Sequence, residues 1–209
     1  LGGKCRETIP AYASGGWADA AGIGEQLKQT IAALGERGNF KAVKMRIGSM
    51  DGTVENSIAR VRAAREALGP DIKLMVDAHG TWNEREAKRF CRGVEDCNIA
   101  WFEEPVSPNS VQAMAEVRAT TDIPISAGES LFTRFDFQEL IEARAADILQ
   151  PDPGIAGGII QGWAAYKSPK RYKKYGSQKG WERVNQAPPE GDGFQEITEE
   201  EARQMELPF

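Results

Sequence analysis

The feature that most constrains this chain is a regular alternation of short apolar segments with longer amphipathic ones. The apolar segments are rich in β-branched and aromatic residues, and most end in Gly, Pro or Asp, which is typical of buried parallel strands. They read IPAYAS (9–14), FKAVKMRIG (40–48), IKLMVDAHG (72–80), IAWFEEP (99–105), IPISAG (123–128) and ADILQPD (146–152). We therefore predict six strands, spaced by roughly 25–30 residues.

Helical periodicity is found between these segments. The clearest stretch runs from Thr53 to Leu68, where Thr53 is suited to cap the first turn and the pair Gly69-Pro70 to end the last one. Apolar residues recur at helical spacing here and in two further stretches: Ile58, Val61 and Leu68; Leu27, Ile31 and Leu34; Val111, Met114 and Val117. Each stripe predicts a helix that packs one face on a sheet.

Strand–helix units in this number predict an α/β fold with a parallel sheet, for which two architectures are open. A doubly wound sheet that binds a dinucleotide carries a glycine-rich phosphate turn after its first strand, and none follows residues 9–14. Polar residues gather instead at the carboxyl ends of several strands, as in a (β/α)8 barrel. We therefore predict an incomplete TIM barrel over residues 1–163, with about six βα units recognisable.

Residues 164–209 follow a different pattern. The alternation stops, and a basic stretch (166–183) is followed by a Pro/Gly hinge and an acidic end. Thr198 and Glu201 have capping-box spacing, which predicts a short helix from about residue 199. Tyr and Trp within the basic stretch leave open a nucleic-acid contact, but a solvated segment that needs no partner is the favoured interpretation.

Composition argues against several classes of protein. The net charge of −5 and the charged fraction of 27% are those of an ordinary soluble protein and not of a general nucleic-acid binder. No apolar run approaches the ~20 residues that a membrane span needs, and the first residues lack the pattern of a signal peptide. The three scattered cysteines indicate reduced thiols, not a disulfide framework or a zinc site. We expect a cytoplasmic protein.

Three acidic residues occupy corresponding points of three successive apolar segments. Asp77, Glu103 and Glu129 are separated by 26 residues each, so one βα unit brings the chain back to the same height on the next strand. Neighbouring strands lie ~4.8 Å apart, which would place the three carboxylates around one small volume. A single acidic residue here would be read as a helix cap or a surface group. Three in register predict a divalent cation, and ligation by oxygen alone favours Mg²⁺.

Charged residues on the same strands extend this predicted site. Side chains alternate along a strand, so Lys44 and Arg46 share a face, as do Asp77 and His79. By the same rule Trp101 shares the face of Glu103, whereas Glu104 is predicted to point away. Two cations beside a metal suit a substrate carboxylate and the charge that develops on it, although they could simply balance the acidic cluster. His79, the only histidine, is placed for proton transfer or for a bystander's hydrogen bond.

The motifs VKMRIG, VDAHGTW, WFEEPV, PISAGES and DILQPD, in this order, closely resemble the mandelate racemase/muconate lactonizing enzyme branch of the enolase superfamily, especially its acid-sugar dehydratases. The resemblance covers about residues 5–160. It implies that Asp77, Glu103 and Glu129 ligate Mg²⁺. The pairing of a Lys or His base with Mg²⁺ is a general property of that superfamily.

The resemblance also implies roles for the remaining site residues. Lys44 and Arg46 fall on a Lys-x-Lys motif whose second lysine is often the base. A guanidinium is effectively never deprotonated in proteins, so either Lys44 takes the base's role or Arg46 acts as an electrostatic clamp. Asp152 matches an aspartate that orients a catalytic histidine from the next strand, and that histidine is absent here. His79 stands where many members have Asn, but mannonate-type dehydratases are similar in using a histidine at this point, which implies that His79 transfers a proton.

The function implied is a Mg²⁺-dependent hydro-lyase that dehydrates a sugar acid through α-proton abstraction and an ene-diolate. Dehydration is favoured over racemisation because proton transfer to and from one carbon needs a base on each face, and only one face has a candidate. A racemase, an epimerase or a cycloisomerase with the same metal site stays open, as does a truncated, non-catalytic remnant. The family's capping domain and last two strands are not recognisable here, and open barrel edges would favour a homo-oligomer.

Overall fold

A computed structural model of the chain describes residues 10–34 and 40–158. Within them six strands form one sheet in the order of the sequence, and every neighbouring pair is parallel. The strands are β1 (Ala13–Gly15), β2 (Ala42–Arg46), β3 (Lys73–Asp77), β4 (Ile99–Glu103), β5 (Ile125–Ala127) and β6 (Ile148–Leu149). The prediction of a parallel α/β sheet is confirmed. Five of the six apolar segments contain a strand, and the first, 9–14, overlaps β1.

Five α-helices follow the first five strands in the described residues. They are α1 (Ile23–Ala33), α2 (Val54–Leu68), α3 (Glu84–Gly93), α4 (Val111–Arg118) and α5 (Arg134–Glu142). The three helices predicted from apolar stripes correspond to α1, α2 and α4. As predicted, Thr53 caps α2 by accepting a hydrogen bond from the backbone N–H of Asn56, and Gly69 ends it with a φ of +69°.

The strands present different chemistry on their two faces. In β2, Val43 and Met45 are fully buried in one hydrophobic core with Leu27 of α1 and Val61 of α2. Because side chains alternate along a strand, Lys44 and Arg46 lie on the opposite face. The helices thus cover one side of the sheet, and the charged residues are left on the other.

Arg60 of α2 fastens the carboxyl ends of β1 and β2 to the helix layer. Its side chain is 5% exposed and forms an ion pair with Asp51 at 2.6 Å. The same guanidinium donates to the backbone carbonyls of Gly16 at 2.8 Å, Ala18 at 2.7 Å and Arg46 at 2.9 Å. One buried side chain therefore connects α2 with the two loops that leave these strands and with the last residue of β2.

Several predictions concern groups away from the sheet. Cys91 and Cys97 are free and buried, as expected of reduced thiols. No helix within residues 10–34 and 40–158 has the length and apolar character to cross a membrane. Cys5, the segment 164–209 and its predicted helix from about residue 199 lie outside the described residues, so the division of the chain at residue 163 stays a prediction.

Candidate metal and acid-substrate site

The polar ends of β2, β3 and β4 lie side by side. The sheet register pairs Arg46 with Asp77, and Asp77 with Glu103, so these three residues end their strands at one height. Asp77 is 4% exposed and Glu103 is 1% exposed. Two carboxylates buried on adjacent strands need protons or cations to neutralise them, because an unpaired buried charge is costly.

Lys44 supplies one such cation. Its Nζ lies 2.7 Å from Glu103 Oε2 and 3.7 Å from Asp77 Oδ2. Burial alone would lower the pKa of the Lys44 ammonium, but the hydrogen bond to Glu103 and the charges of Glu103 and Asp77 outweigh burial and raise that pKa. Lys44 is therefore an ammonium in this state, and a base's role would require it to leave both carboxylates.

Arg46 is a second cation beside Asp77. Its Nη1 lies 3.4 Å from Asp77 Oδ1, and the guanidinium stands 6.0 Å from the centre of the Trp17 ring. The predicted common face of Lys44 and Arg46 is confirmed by their shared contact with Asp77. A cavity of about 100 Å³ opens at this point, lined by Ser14, Gly15, Trp17, Lys44, Met45, Arg46 and Asp77.

Glu129 is linked to Asp77 by way of His79. Glu129 Oε1 lies 3.1 Å from His79 Nδ1, and the backbone N–H of His79 donates to Asp77 Oδ1 at 2.8 Å. Asp77, His79 and Glu129 are thereby joined by direct contacts. His79 has a φ of +50°, so the chain has already left the strand and side-chain alternation does not position this residue.

Glu104 belongs to the same cluster, and the prediction that it points away is wrong. The ligand atoms of His79, Glu104 and Glu129 all lie within 4.8 Å of one another. The reason is local: Glu104 has a φ of +39°, so the alternation of side chains ends at Glu103. The Ser130 hydroxyl donates to Glu104 Oε1 at 3.0 Å, which orients this carboxylate.

Among the described residues, no lysine or arginine forms an ion pair with the Glu104 carboxylate. Burial raises the pKa of the Glu104 carboxyl, and the charges of Glu129 and Asp77 raise it further, against the opposing effects of the Ser130 hydrogen bond and of His79. A divalent cation would relieve this repulsion. Carboxylate oxygens with one imidazole form an ordinary donor set for such an ion, so the residues present fit a divalent metal.

The predicted ligands fall into two adjoining groups. Asp77 and Glu103 share the Lys44 ammonium, whereas Glu129 shares a cluster with His79 and Glu104. Joint ligation of one ion by Asp77, Glu103 and Glu129 stays a prediction.

Asp152 has a local hydrogen bond instead. Its Oδ1 accepts from the backbone N–H of Gly154 at 2.7 Å, in an exposed turn after β6. The role predicted for Asp152 beside a catalytic histidine stays a prediction.

Tyr12 was not among the residues predicted for the site. It precedes β1, and its ring packs edge-on against Trp101 with centroids 5.5 Å apart. The Lys44 ammonium stands 5.5 Å from the centre of the same ring. Its position in an apolar segment indicated only a strand, and no spacing rule pairs β1 with β4 across the sheet. Ser130, by contrast, directly follows the predicted ligand Glu129 in the sequence, and this position could have predicted that Ser130 lies at the site.

Comparison with known proteins assigns this arrangement to a family. Residues 23–167 match the family described as enolase C-terminal domain-like. The D-galactarolactone cycloisomerase of Agrobacterium fabrum is 37% identical over 163 residues, which are 77% of this chain and 42% of that protein. The arabinonate dehydratase of Saccharolobus solfataricus is 35% identical over 161 residues, which are 77% of this chain and 42% of that protein.

A solved structure gives the same assignment. The L-talarate dehydratase of Polaromonas sp. JS666, complexed with Mg and L-glucarate, is 31% identical with a TM-score of 0.66, over 81% of this chain and 46% of that one. The chain thus spans less than half the length of these three relatives. Such neighbours are barrel enzymes, which confirms the predicted incomplete TIM barrel. The chain belongs to the enolase C-terminal domain-like family, in the mandelate racemase/muconate lactonizing enzyme branch of the enolase superfamily.

Proposed function

We propose that this chain carries the metal-binding part of the active site of a Mg²⁺-dependent hydro-lyase that dehydrates a sugar acid. The observation that carries the proposal is the gathering of two cations, an imidazole and four carboxylates at the carboxyl ends of β2 to β5. In a barrel of this type that edge of the sheet is where active sites are built. The dehydratases among the relatives, including one complexed with Mg and L-glucarate, support the choice of substrate class.

Asp77, Glu103 and Glu129 would hold the metal, with Glu104 beside them. The even spacing of the three predicted ligands and their place at three successive strand ends support this set. When bound, the ion would act as a Lewis acid that polarises the substrate carboxylate and stabilises negative charge on it as the α-proton leaves.

The two cations would bind and orient the substrate carboxylate. Arg46 donates one N–H to Asp77 at 3.4 Å, a long hydrogen bond, and its side chain is 27% exposed. The remaining N–H groups of the guanidinium can therefore bind a carboxylate in the bidentate mode. The 100 Å³ cavity beside it has room for such a group. Arg46 thereby acts as an electrostatic clamp. Lys44 is the residue of the pair that could accept the α-proton, once it has left Glu103 and Asp77 and lost its own proton.

His79 would act as the acid that assists departure of the β-hydroxyl. Its side chain is 58% exposed, so a substrate can reach the ring. Nδ1 is the ring nitrogen that lies 3.1 Å from Glu129 Oε1, so Nε2 would be the nitrogen that exchanges a proton with the substrate. The reaction breaks the α C–H bond and the β C–O bond, releases water, and leaves an enol that becomes a 2-keto-3-deoxy acid.

A cycloisomerase is the second candidate. Its support is the 37% identity to D-galactarolactone cycloisomerase, an enzyme that could use the same metal and cations on a lactone. The two reactions differ in their products, because only the dehydratase loses water.

The experiment is an assay of the 209-residue chain on a panel of aldonic acids, aldaric acids and their lactones with Mg²⁺. Semicarbazide detects a 2-keto-3-deoxy product, and mass spectrometry detects isomerisation without loss of water. We expect a keto acid from at least one acid, and its loss when Asp77→Asn is combined with Glu103→Gln. Glu116→Gln, which removes an exposed partner of Lys88, is the matched control. Full activity in the double variant, or no product from any acid, would contradict the proposal.

A further inference from the structure

Glu103 belongs to a cycle of four side chains that the proposed chemistry does not use in full. Lys44 Nζ and the indole Nε1 of Trp101 both meet the same oxygen, Oε2, at 2.7 Å and 3.4 Å. Trp101 packs edge-on against Tyr12, and Tyr12 in turn faces the Lys44 ammonium. Glu103, Trp101, Tyr12 and Lys44 therefore form a closed cycle of contacts.

We propose that Trp101 is a positioning residue for the metal ligand Glu103, held in place by Tyr12. The inference rests on the proposed metal site. Both donors contact Oε2, so Oε1 is the oxygen of this carboxylate that would bind a cation. A ligand carboxylate held in this way loses less freedom when a cation binds.

The two donors to Oε2 are not equivalent. Lys44 is a charge on a flexible stem, so a substrate carboxylate can draw it away from Glu103 and an incoming metal cation can displace it. Trp101 is a rigid neutral donor that sits two residues before Glu103 on the same strand, so strand geometry sets its reach. We therefore expect the indole N–H to remain on Glu103 when Lys44 moves toward the substrate.

Tyr12 completes the arrangement from the position just before β1, the first strand of the sheet. Its ring stands at 79° to the indole of Trp101, an edge-to-face geometry that fixes the plane of the indole. Tyr12 is 37% exposed, so its contribution is this contact and not burial. Two strands that are not neighbours in the sheet are thereby coupled to one ligand.

The test measures metal binding and energy transfer, not turnover. Mg²⁺ affinity is measured by calorimetry on the 209-residue chain, and Tb³⁺ emission is excited through indole. In the wild type we expect one site and sensitised Tb³⁺ emission. Trp101→Phe should weaken Mg²⁺ binding about 10-fold, the lower end for removing such a partner, and abolish most of the sensitised emission. Trp82→Phe, which removes an indole packed against Phe90 and Phe102 in the hydrophobic core, should change the affinity little.

A second pair of variants separates positioning from folding. Tyr12→Phe keeps the ring and should bind Mg²⁺ like the wild type, whereas Tyr12→Leu removes the ring and should weaken binding. Wild-type Mg²⁺ affinity in Trp101→Phe would overturn the inference while leaving the metal site intact. Absence of Mg²⁺ binding by the wild type would instead overturn the metal site, and the role of Trp101 with it.

Discussion

Arg60 offers the sharpest test of how the site's scaffold is held together. Replacing Arg60 by Met keeps most of the buried stem but removes every donor of the guanidinium. The substitution leaves the Asp51 carboxylate, which is 2% exposed, without its ion-pair partner. It also leaves the carbonyls of Gly16, Ala18 and Arg46 without this donor.

The expected loss follows from these contacts. Removing one partner of a buried ion pair costs about 3–5 kcal/mol, which is a large share of the about 5–15 kcal/mol by which a domain is stable. The three carbonyls do not add in full, because they can turn toward water once the side chain is gone. We therefore expect Arg60→Met to lower the free energy of unfolding by about 3–5 kcal/mol.

The assay is urea unfolding followed by tryptophan fluorescence and circular dichroism. Arg62→Met is the matched control, because it lies on the same helix and pairs with Asp96 where both side chains are about half exposed or more. We expect Arg62→Met to unfold close to the wild type, and Asp51→Asn to restore part of the stability of Arg60→Met. Equal midpoints for Arg60→Met and Arg62→Met would refute the reasoning.

Three further predictions concern single groups. Burial raises the pKa of the Cys91 thiol to about 11, so alkylation of this thiol in the folded chain should be slow near neutral pH in a labelling time course. The contribution of the thiol to the free energy of unfolding is present below its ordinary pKa. Unfolding measured against pH should show that this contribution is lost as the pH rises through about 11. Gly128→Ala should destabilise the chain by about 1–3 kcal/mol in thermal unfolding, because Gly128 has a φ of +129° and an added Cβ would lie 2.6 Å from the Phe137 ring. Asp147→Ala should cost about 3 kcal/mol in urea unfolding, since it leaves the side chain of Arg118, which is 13% exposed, without its partner at 2.6 Å.

Much of the site followed from the sequence because parallel strands obey simple rules. The alternation of side chains correctly joined Lys44 with Arg46, and Trp101 with Glu103. Equal spacing correctly brought Asp77 and Glu103 to one height in adjacent strands. These predictions rest on backbone geometry that any residue in an extended strand must follow.

The rules failed where the backbone leaves the strand. His79 and Glu104 have positive φ values, which a local pattern of residue types did not indicate, so Glu104 was wrongly placed away from the site. The sequence did not indicate the role of Arg60 either, because it resembles any charged residue on an amphipathic helix. Its hydrogen bonds go to carbonyls of the loop after β1 and of the last residue of β2. Such contacts are set by tertiary packing, and periodicity carries no information about them.

The most direct test of the metal site is a crystal structure of this chain with Mn²⁺ in place of Mg²⁺, read from anomalous scattering. We expect one ion bound by carboxylate oxygens of Asp77, Glu103 and Glu129, with Lys44 withdrawn from Glu103. An ion held by His79, Glu104 and Glu129 alone, while Lys44 still bridges Asp77 and Glu103, would contradict the proposed ligand set.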